Sequence, residues 1–304
     1  LYYTGTYNNV GGDLTLGGNG TITIGGATWA TTIGSNTLGV FNMNAGLVQH
    51  AGSGNVQLGG NVGAPNGTGI LNLNGGVFAV NKGIIKGSNP DAFGFVNFDG
   101  GTLSGTVHNV TLLGPGLSAV TIRSGGGTVA LGTGVTNYIT AALQDGGGGG
   151  GLTKTCEGTL MLTASNLYSG TTRVAGGTLE LSGSGSVASS AALYVDAGTK
   201  LVASNVTAAL RLRPGQTLKG NGTVVSGVSG LITDPGSTVA PGDSPGTLTV
   251  EGSMTMSAGS TFAVELQMAT LYDQLVVVGG GSLTLNSPEL TVTMLDGYTP
   301  AAGT

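Results

Sequence analysis

Charge is scarce in this sequence. Asp, Glu, Lys and Arg make up 8% of its 304 residues, against about 25% in an ordinary domain. The Lys and Arg residues, Lys82, Lys86, Arg123, Lys154, Arg173, Lys200, Arg211, Arg213 and Lys219, are scattered. They form no basic stripe, and the formal net charge is −5. Neutralising a phosphate backbone takes clustered cations, so nucleic acid is not an expected partner. Cysteine is almost absent. Cys156 stands alone, which excludes an intrachain disulfide and a cysteine-based metal site; it reads as a small residue at the tip of a turn. No run of 18 apolar residues occurs, so no membrane-spanning helix is expected in this segment. No secretory leader is visible and Leu1 is not an initiator Met. The chain therefore reads as a mature or trimmed segment, with any export signal already removed.

Glycine is what the sequence has in excess. There are 61 glycines, without the three-residue period of collagen. Disorder needs low hydrophobicity or high net charge. Here the hydrophobic fraction is 39%, with Val, Leu, Ile and Ala set one apart between Thr, Ser and Asn, as in a β-rich chain. Gly151 to Leu181 shows the grammar most clearly. Leu160 and Leu162 alternate with Thr159, Met161 and Thr163, the period of a strand. Asn166, Ser169 and Gly170 break the run. Arg173 to Ala175 make a second short run, Gly176 and Gly177 turn the chain, and Thr178 to Leu181 begin a third strand. Strands this short bury no face alone and must stack on copies of themselves.

An internal repeat supports that reading. GVFNMNAGLVQ begins at Gly39, GILNLNGGVFAV at Gly69 and GFVNFDGGTLSG at Gly94. Aligned, Asn42, Asn72 and Asn97 coincide; so do Met43, Leu73 and Phe98, then Asn44, Asn74 and Asp99, then Gly46, Gly76 and Gly101. Periods of this length are those of solenoid coils. The Asn/Asp-then-Gly step suits a tight turn with positive φ. The aligned Asn residues are expected to form a hydrogen-bonded ladder.

The rest of the chain continues the pattern. Leu14, Leu16, Ile22 and Ile24 are expected to face one way, with Trp29 packing just after them. Tyr138 to Leu143 is read as one helical turn. Gly146 to Gly151, six consecutive glycines, reads as a flexible surface loop between a first solenoid segment, 1–145, and a second, 152–304, within one continuous rod. The fold expected is all-β: an elongated parallel β-helix, or β-solenoid. Coils of about 22–25 residues stacked about 4.8 Å apart would give a rod about 60 Å long.

Two stretches carry a family resemblance. GLTKTCEGTLMLTASNLYSGTTRVAGGTLEL resembles the autotransporter-associated β-strand repeat of type V secretion passenger domains. Gly220 to Met254 is similar to the strand-and-turn run that follows such repeats, and Tyr272-Asp273-Gln274-Leu275 to late passenger coils. The likeness is good over 151–300 and weaker over 1–150. It implies a right-handed β-helix, export to the bacterial cell surface or extracellular space, and no fixed enzymatic activity. The sequence departs from the family where Cys156 replaces the Gly of the Lys-Thr-Gly turn. It also shows no C-terminal membrane barrel or sorting helix.

Residues that could carry chemistry do not assemble into a motif. Gly242-Asp243-Ser244-Pro245-Gly246 fits G-x-S-x-G, but a nucleophile elbow needs a strand, a turn, a helix and a His base, and here Pro245 and a strand follow. His50 and His108 are isolated and sit at no metal-ligand spacing. The acidic residues run thinly from Asp13 to Asp296, with Asp234 and Asp243 nine positions apart. Gly11-Gly12-Asp13 is a single fragment of a calcium-binding nonapeptide, and no array follows. Asn19, Asn66, Asn109, Asn205 and Asn221 head Asn-X-Thr triplets that the composition makes common. No catalytic residue, cofactor or metal is expected.

The reading these features favour is a non-enzymatic structural subunit of a bacterial surface or extracellular fibre. No cap is evident at Leu1–Tyr7 or Pro300–Thr304, so either the caps lie in a longer parent chain or the ends stack on other copies, the self-association that a fibre would need. One alternative is an adhesin stalk binding host or matrix glycans through Tyr2, Tyr3, Trp29, Tyr138 and Tyr168. Another is a polysaccharide lyase or hydrolase using carboxylates that the coils bring together.

Overall fold

A strand with alternating apolar and polar residues buries one face only, and in this chain the burial comes from strands directly above and below. The computed structural model describes residues 4–9, 13–16, 22–24, 36–51, 54–60 and 66–300, with side chains from Leu38 onward. Every described element is a strand. The strands fall into three parallel sheets, and each coil of chain passes from sheet to sheet before climbing one rung. The first sheet has six strands, from Thr4–Asn9 to Leu143–Asp145. The second and third sheets have 13 strands each and run to the C-terminal end of the described chain. Their one antiparallel strand pairing is the short return of Leu271–Tyr272 onto Thr261–Met268. This is the expected parallel β-helix.

Rung-on-rung stacking turns the alternation into columns. In the second sheet, Val48, Phe78, Leu103, Val129, Lys154, Val174 and Val195 lie one above another. In the third, Val110, Asn137, Leu160, Leu179, Leu201, Val224 and Val250 do the same. Nearly all of these side chains are fully buried and belong to one continuous core. Burying each Val or Leu is worth about 1.5–3 kcal/mol, and in a solenoid such contributions add between neighbouring rungs.

The aligned repeat is in register as read. Asn42 pairs Asn72 and Asn72 pairs Asn97 across the first sheet. Asn72 Nδ2 donates to Asn42 Oδ1 at 2.7 Å, and Asn97 Nδ2 donates to Asn72 Oδ1 at 2.8 Å. A second amide step joins Asn74 to Asn44 at 2.9 Å. Gly46 and Gly76 take positive φ, 75° and 63°, as the turn requires; in the third copy that conformation falls on Gly100 rather than Gly101.

Two expectations are corrected. Residues Tyr138 to Leu143 hold no helical turn: Thr136–Ile139 and Leu143–Asp145 are strands in the third and first sheets. Periodicity in so short a stretch cannot separate helix from strand, and ladder partners above and below decide it. The described stack is also shorter than expected. Eleven strands lie along the main path of the third sheet, which at about 4.8 Å per rung is about 50 Å. The early coils are longer than assumed, with 30 residues between Asn42 and Asn72. The expectations for Leu14, Leu16, Ile22, Ile24 and Trp29 concern side chains outside the described residues.

The glycine run coincides with a change of coil. The first sheet ends at Leu143–Asp145, while the second and third continue past it without a break. Gly147, Gly148 and Gly149 all have positive φ. Gly150 is buried, and a Cβ there would overlap the carbonyl oxygen of Arg123. From this point a coil closes in fewer residues, Leu160 pairing Leu179 only 19 positions on.

The amide ladder makes a test. In Asn72→Asp the residue still accepts from Asn97 but no longer donates to Asn42, and it sets two oxygens face to face. A loss of about 1–3 kcal/mol is expected in denaturant unfolding. Unchanged stability would show that the ladder contributes nothing net.

Candidate functional site

Polar chemistry gathers in two places, one inside the rod and one on its surface. The interior one begins with Lys154. The spacing of Leu152-Thr-Lys154 puts the lysine on the same inward face as the leucine, in a column otherwise filled by valines, leucine and phenylalanine. Lys154 is fully buried. Its alkyl stem fills the column as a leucine would. The ammonium curls toward the turn and donates to the carbonyl oxygens of Thr155 (2.7 Å), Cys156 (2.8 Å) and Gly176 (3.2 Å). Burial pulls its pKa down to about 8, against a smaller opposing pull from the charges of Cys156 and Glu157. Cys156 is exposed at the tip of this turn, with φ 62°. On the next rung, a Cβ on Gly176 would lie 2.5 Å from the Cys156 nitrogen, so that position admits only glycine.

The segment that follows stands where a first-sheet strand would otherwise be. Asn166 takes over its hydrogen bonds. Its Oδ1 accepts from Leu143 N (3.1 Å), and its Nδ2 donates to the carbonyls of Ala164 and Ser186 (3.0 Å each). Tyr168 then fills the core. Its hydroxyl lies 2.7 Å from Thr172 Oγ1, which lies 2.6 Å from Ser190 Oγ. Gln216 Nε2 donates to the carbonyl oxygens of Ser190 and Val187, closing the network. Burial raises the Tyr168 pKa to about 12, with the two hydroxyls opposing. Tyr168 is 1% exposed and so is not the surface aromatic it was expected to be. Its ring occupies space that a first-sheet strand would have filled. Tyr138 is half-buried on the outward side of its strand; Tyr2 and Tyr3 lie outside the described residues.

The surface feature is a groove of about 520 Å³ on the outer face of the second sheet. Ladder pairing puts Thr128, Thr153, Arg173, Tyr194 and Lys219 in one outward column. The Arg173 guanidinium carbon lies 4.6 Å and Lys219 Nζ 4.7 Å from the Tyr194 ring centroid. Arg173 also grips Asp196 with two nitrogens, Nε at 3.1 Å and Nη2 at 2.9 Å. Asp243 lines the same groove beside Tyr194. Burial and the neighbouring Asp243 and Asp196 carboxylates push the Tyr194 pKa up to about 12.

The candidates read from sequence do not converge. Ser244 sits in a strained turn with φ 129°. Asp273, which lines the same pocket, is spent on backbone, accepting from Gly246 N and Glu265 N at 2.8 Å each. His50 is buried in the second sheet several rungs away, with neither ring nitrogen hydrogen-bonded. His108 is exposed and accepts from Thr136 N at 3.1 Å. Asp234 pairs Arg211 and Arg213, while Asp243 faces Tyr194, so the two carboxylates serve different neighbours. No cluster of metal-binding side chains occurs among the described residues. Lys154 and the Arg173–Tyr194–Lys219 column were not singled out from sequence. The signal for the first was its phase with Leu152. The signal for the second was the coil spacing that aligns the three.

Residues 152–181 match the family described as passenger-associated-transport-repeat. That stretch holds the buried lysine, the Cys156 turn and the Asn166–Tyr168 segment. The repeat and the parallel β-helix together fit an autotransporter passenger-like repeat protein. No curated protein and no solved structure gives a match.

Two outcomes follow from the interior site. An L-residue in the left-handed region costs about 1–2 kcal/mol, partly offset by the greater entropy glycine loses on folding. Cys156→Gly is therefore expected to stabilise the protein by about 0.5–1 kcal/mol in denaturant unfolding; a destabilised variant would contradict this account of the turn. Lys154 gives a pH dependence. Its folded pKa of about 8 lies below its ordinary 10.5, so between these values the unfolded chain binds more protons. Stability should rise with pH from about 8 to 10 and be lost as pH falls through 8. Above 10 the raised tyrosine pKa values reverse the slope. In Lys154→Met the rise should vanish from unfolding midpoints, whereas a rise of the same size would assign it elsewhere.

Proposed function

We propose that this chain is an exported, non-catalytic, passenger-type β-helical rod that serves as a structural spacer at a bacterial cell surface or in an extracellular fibre. The observation that carries the proposal is the pair of 13-stranded parallel sheets enclosing one uninterrupted core. Hydrogen bonds along the long axis and side chains stacked on their like give stiffness without charge chemistry. The match to a passenger-associated-transport-repeat supports export to the surface or beyond.

The last described rung supports self-association. Leu283, Leu285, Leu290, Val292 and Met294 continue inward columns and are 41–63% exposed among the described residues. A parallel rung of a second copy would bury them, and such head-to-tail contact propagates instead of closing. Negative-stain electron microscopy across a concentration series should show rods of about 50 Å joining end to end, and Leu290→Lys should keep them single. Single rods at every concentration would remove the fibre part of the proposal. New reducing or unsaturated ends on incubation with polygalacturonate would overturn the non-catalytic part.

A further inference from the structure

We infer that the gap between two coils, at 184–188 and 207–213, takes an extended peptide that pairs with a free strand edge and lodges one apolar side chain in the core. The strand Leu210–Leu212 has a ladder partner on one side only, the end of Thr223–Thr233 in the following coil. At the end of that pairing Asp234 N donates to Leu212 O at 2.8 Å. Alternate residues of a parallel ladder send their N–H and C=O to opposite sides. The Arg211 main chain therefore points the other way, toward the preceding coil. Bonds to that coil are made at Thr207, whose N donates to Gly183 O at 3.2 Å. At Arg213 a side chain substitutes for them, the Arg213 N donating to Gln216 Oε1 at 3.1 Å. Between these points Ala209 and Arg211 find no main-chain partner in the preceding coil among the described residues.

The parting of the two coils has a cause. In the preceding coil Ser186 bridges Ser165, one coil further back. Its N donates to Ala164 O at 3.3 Å and its O accepts from Asn166 N at 3.0 Å. A Cβ on Gly185 would overlap the carbonyl oxygen of Leu162, so this corner is drawn tightly backward. Leu210–Leu212 is held forward by its own partner. Between them lies a cavity of about 180 Å³, lined by Leu181, Val187, Leu193, Val206 and Leu210 and reaching the surface beside Ser184 and Ala208. An apolar cavity of about 150 Å³ accepts a benzene, so a leucine or phenylalanine side chain fits here. Charge is not the attraction: Arg211 and Arg213 both turn to Asp234. A strand edge beside a pocket for one side chain is how extended peptides add to sheets; main-chain bonds supply affinity and the pocket supplies selectivity. A small apolar molecule would fill the cavity but leave the Arg211 N–H and C=O unmet, whereas an extended peptide satisfies both.

The inference goes beyond the spacer reading, which needs no such gap, and rod dimensions do not test it. The test is an NMR titration of the isotope-labelled whole chain with the blocked peptide acetyl-Gly-Ala-Leu-Ala-Gly-amide. Shifts confined to Ala209, Arg211 and the cavity wall are expected, with slowed hydrogen exchange at the Arg211 amide. Replacing the peptide's leucine by glycine should weaken binding about fivefold or more, since the buried side chain is lost. Methylating the leucine nitrogen should weaken it similarly, since a main-chain donor is lost. In the protein, Ala188→Leu narrows the cavity and should weaken binding about tenfold without lowering the melting temperature. The peptide comparisons use the unaltered protein and so decide the matter whether or not that variant folds. No binding at millimolar peptide, equal binding of the glycine peptide, or an Arg211 amide no better protected at saturation would overturn the inference.

Discussion

Parallel stacking at a fixed rung spacing is the constraint from which the rest of this molecule follows. Each side chain must sit on its counterpart one coil earlier, about 4.8 Å away. An apolar residue on an apolar residue gains dispersion and burial. An amide on an amide gains a hydrogen bond, as Asn42, Asn72 and Asn97 show. A charge on a like charge would repel at that distance. Low charge content is thus a requirement of the architecture, and the outward column keeps Arg173 and Lys219 apart by placing an aromatic ring between them.

The same constraint explains the glycines. Where chain crosses chain at a corner, the backbones of successive rungs come too close for a Cβ. Gly150 abuts the Arg123 carbonyl, and Gly176 abuts the Cys156 amide. Other glycines supply left-handed turns, as at Gly46 and Gly76. The glycine-rich stretch at 146–151 reads in sequence as slack. In the structure it joins a three-sheet coil to a two-sheet coil, and at Gly150 its backbone is packed against the rung before it.

Much of this was legible because the signals were local and repeated. The alternation Thr159–Leu162 and the aligned Asn-Gly copies each constrain a single residue's orientation, and the ladder then copies that orientation from rung to rung. What was hidden depended on comparing positions a coil apart in an irregular period. Arg173, Tyr194 and Lys219 align only when unequal spacings are known, and insertions at the corners set those spacings. Tyr168 looked like a surface aromatic because nothing in its own segment reveals that the first sheet has ended beside it. The Tyr138–Leu143 stretch failed as a helix for the opposite reason: its neighbours in space, not in sequence, make it two strands.

Columns of Val and Leu are nearly interchangeable, so burial alone discriminates poorly between one rung and the next. A strand slipped by a full coil would find much the same apolar surface. The buried polar groups do not tolerate that slip. The Lys154 ammonium has carbonyl partners on its own rung and on the next. Asn166 reaches Leu143 on one side and Ser186 on the other. Displaced by one coil, each would bury a polar group without partners, at about 1–3 kcal/mol for a neutral group and more for a charge. These residues lie within 152–181, beside the loss of the first sheet, where the coil shortens and register is least determined by its neighbours. Apolar stacking makes the rod stable, and a few satisfied polar groups at the junction make it stack one way.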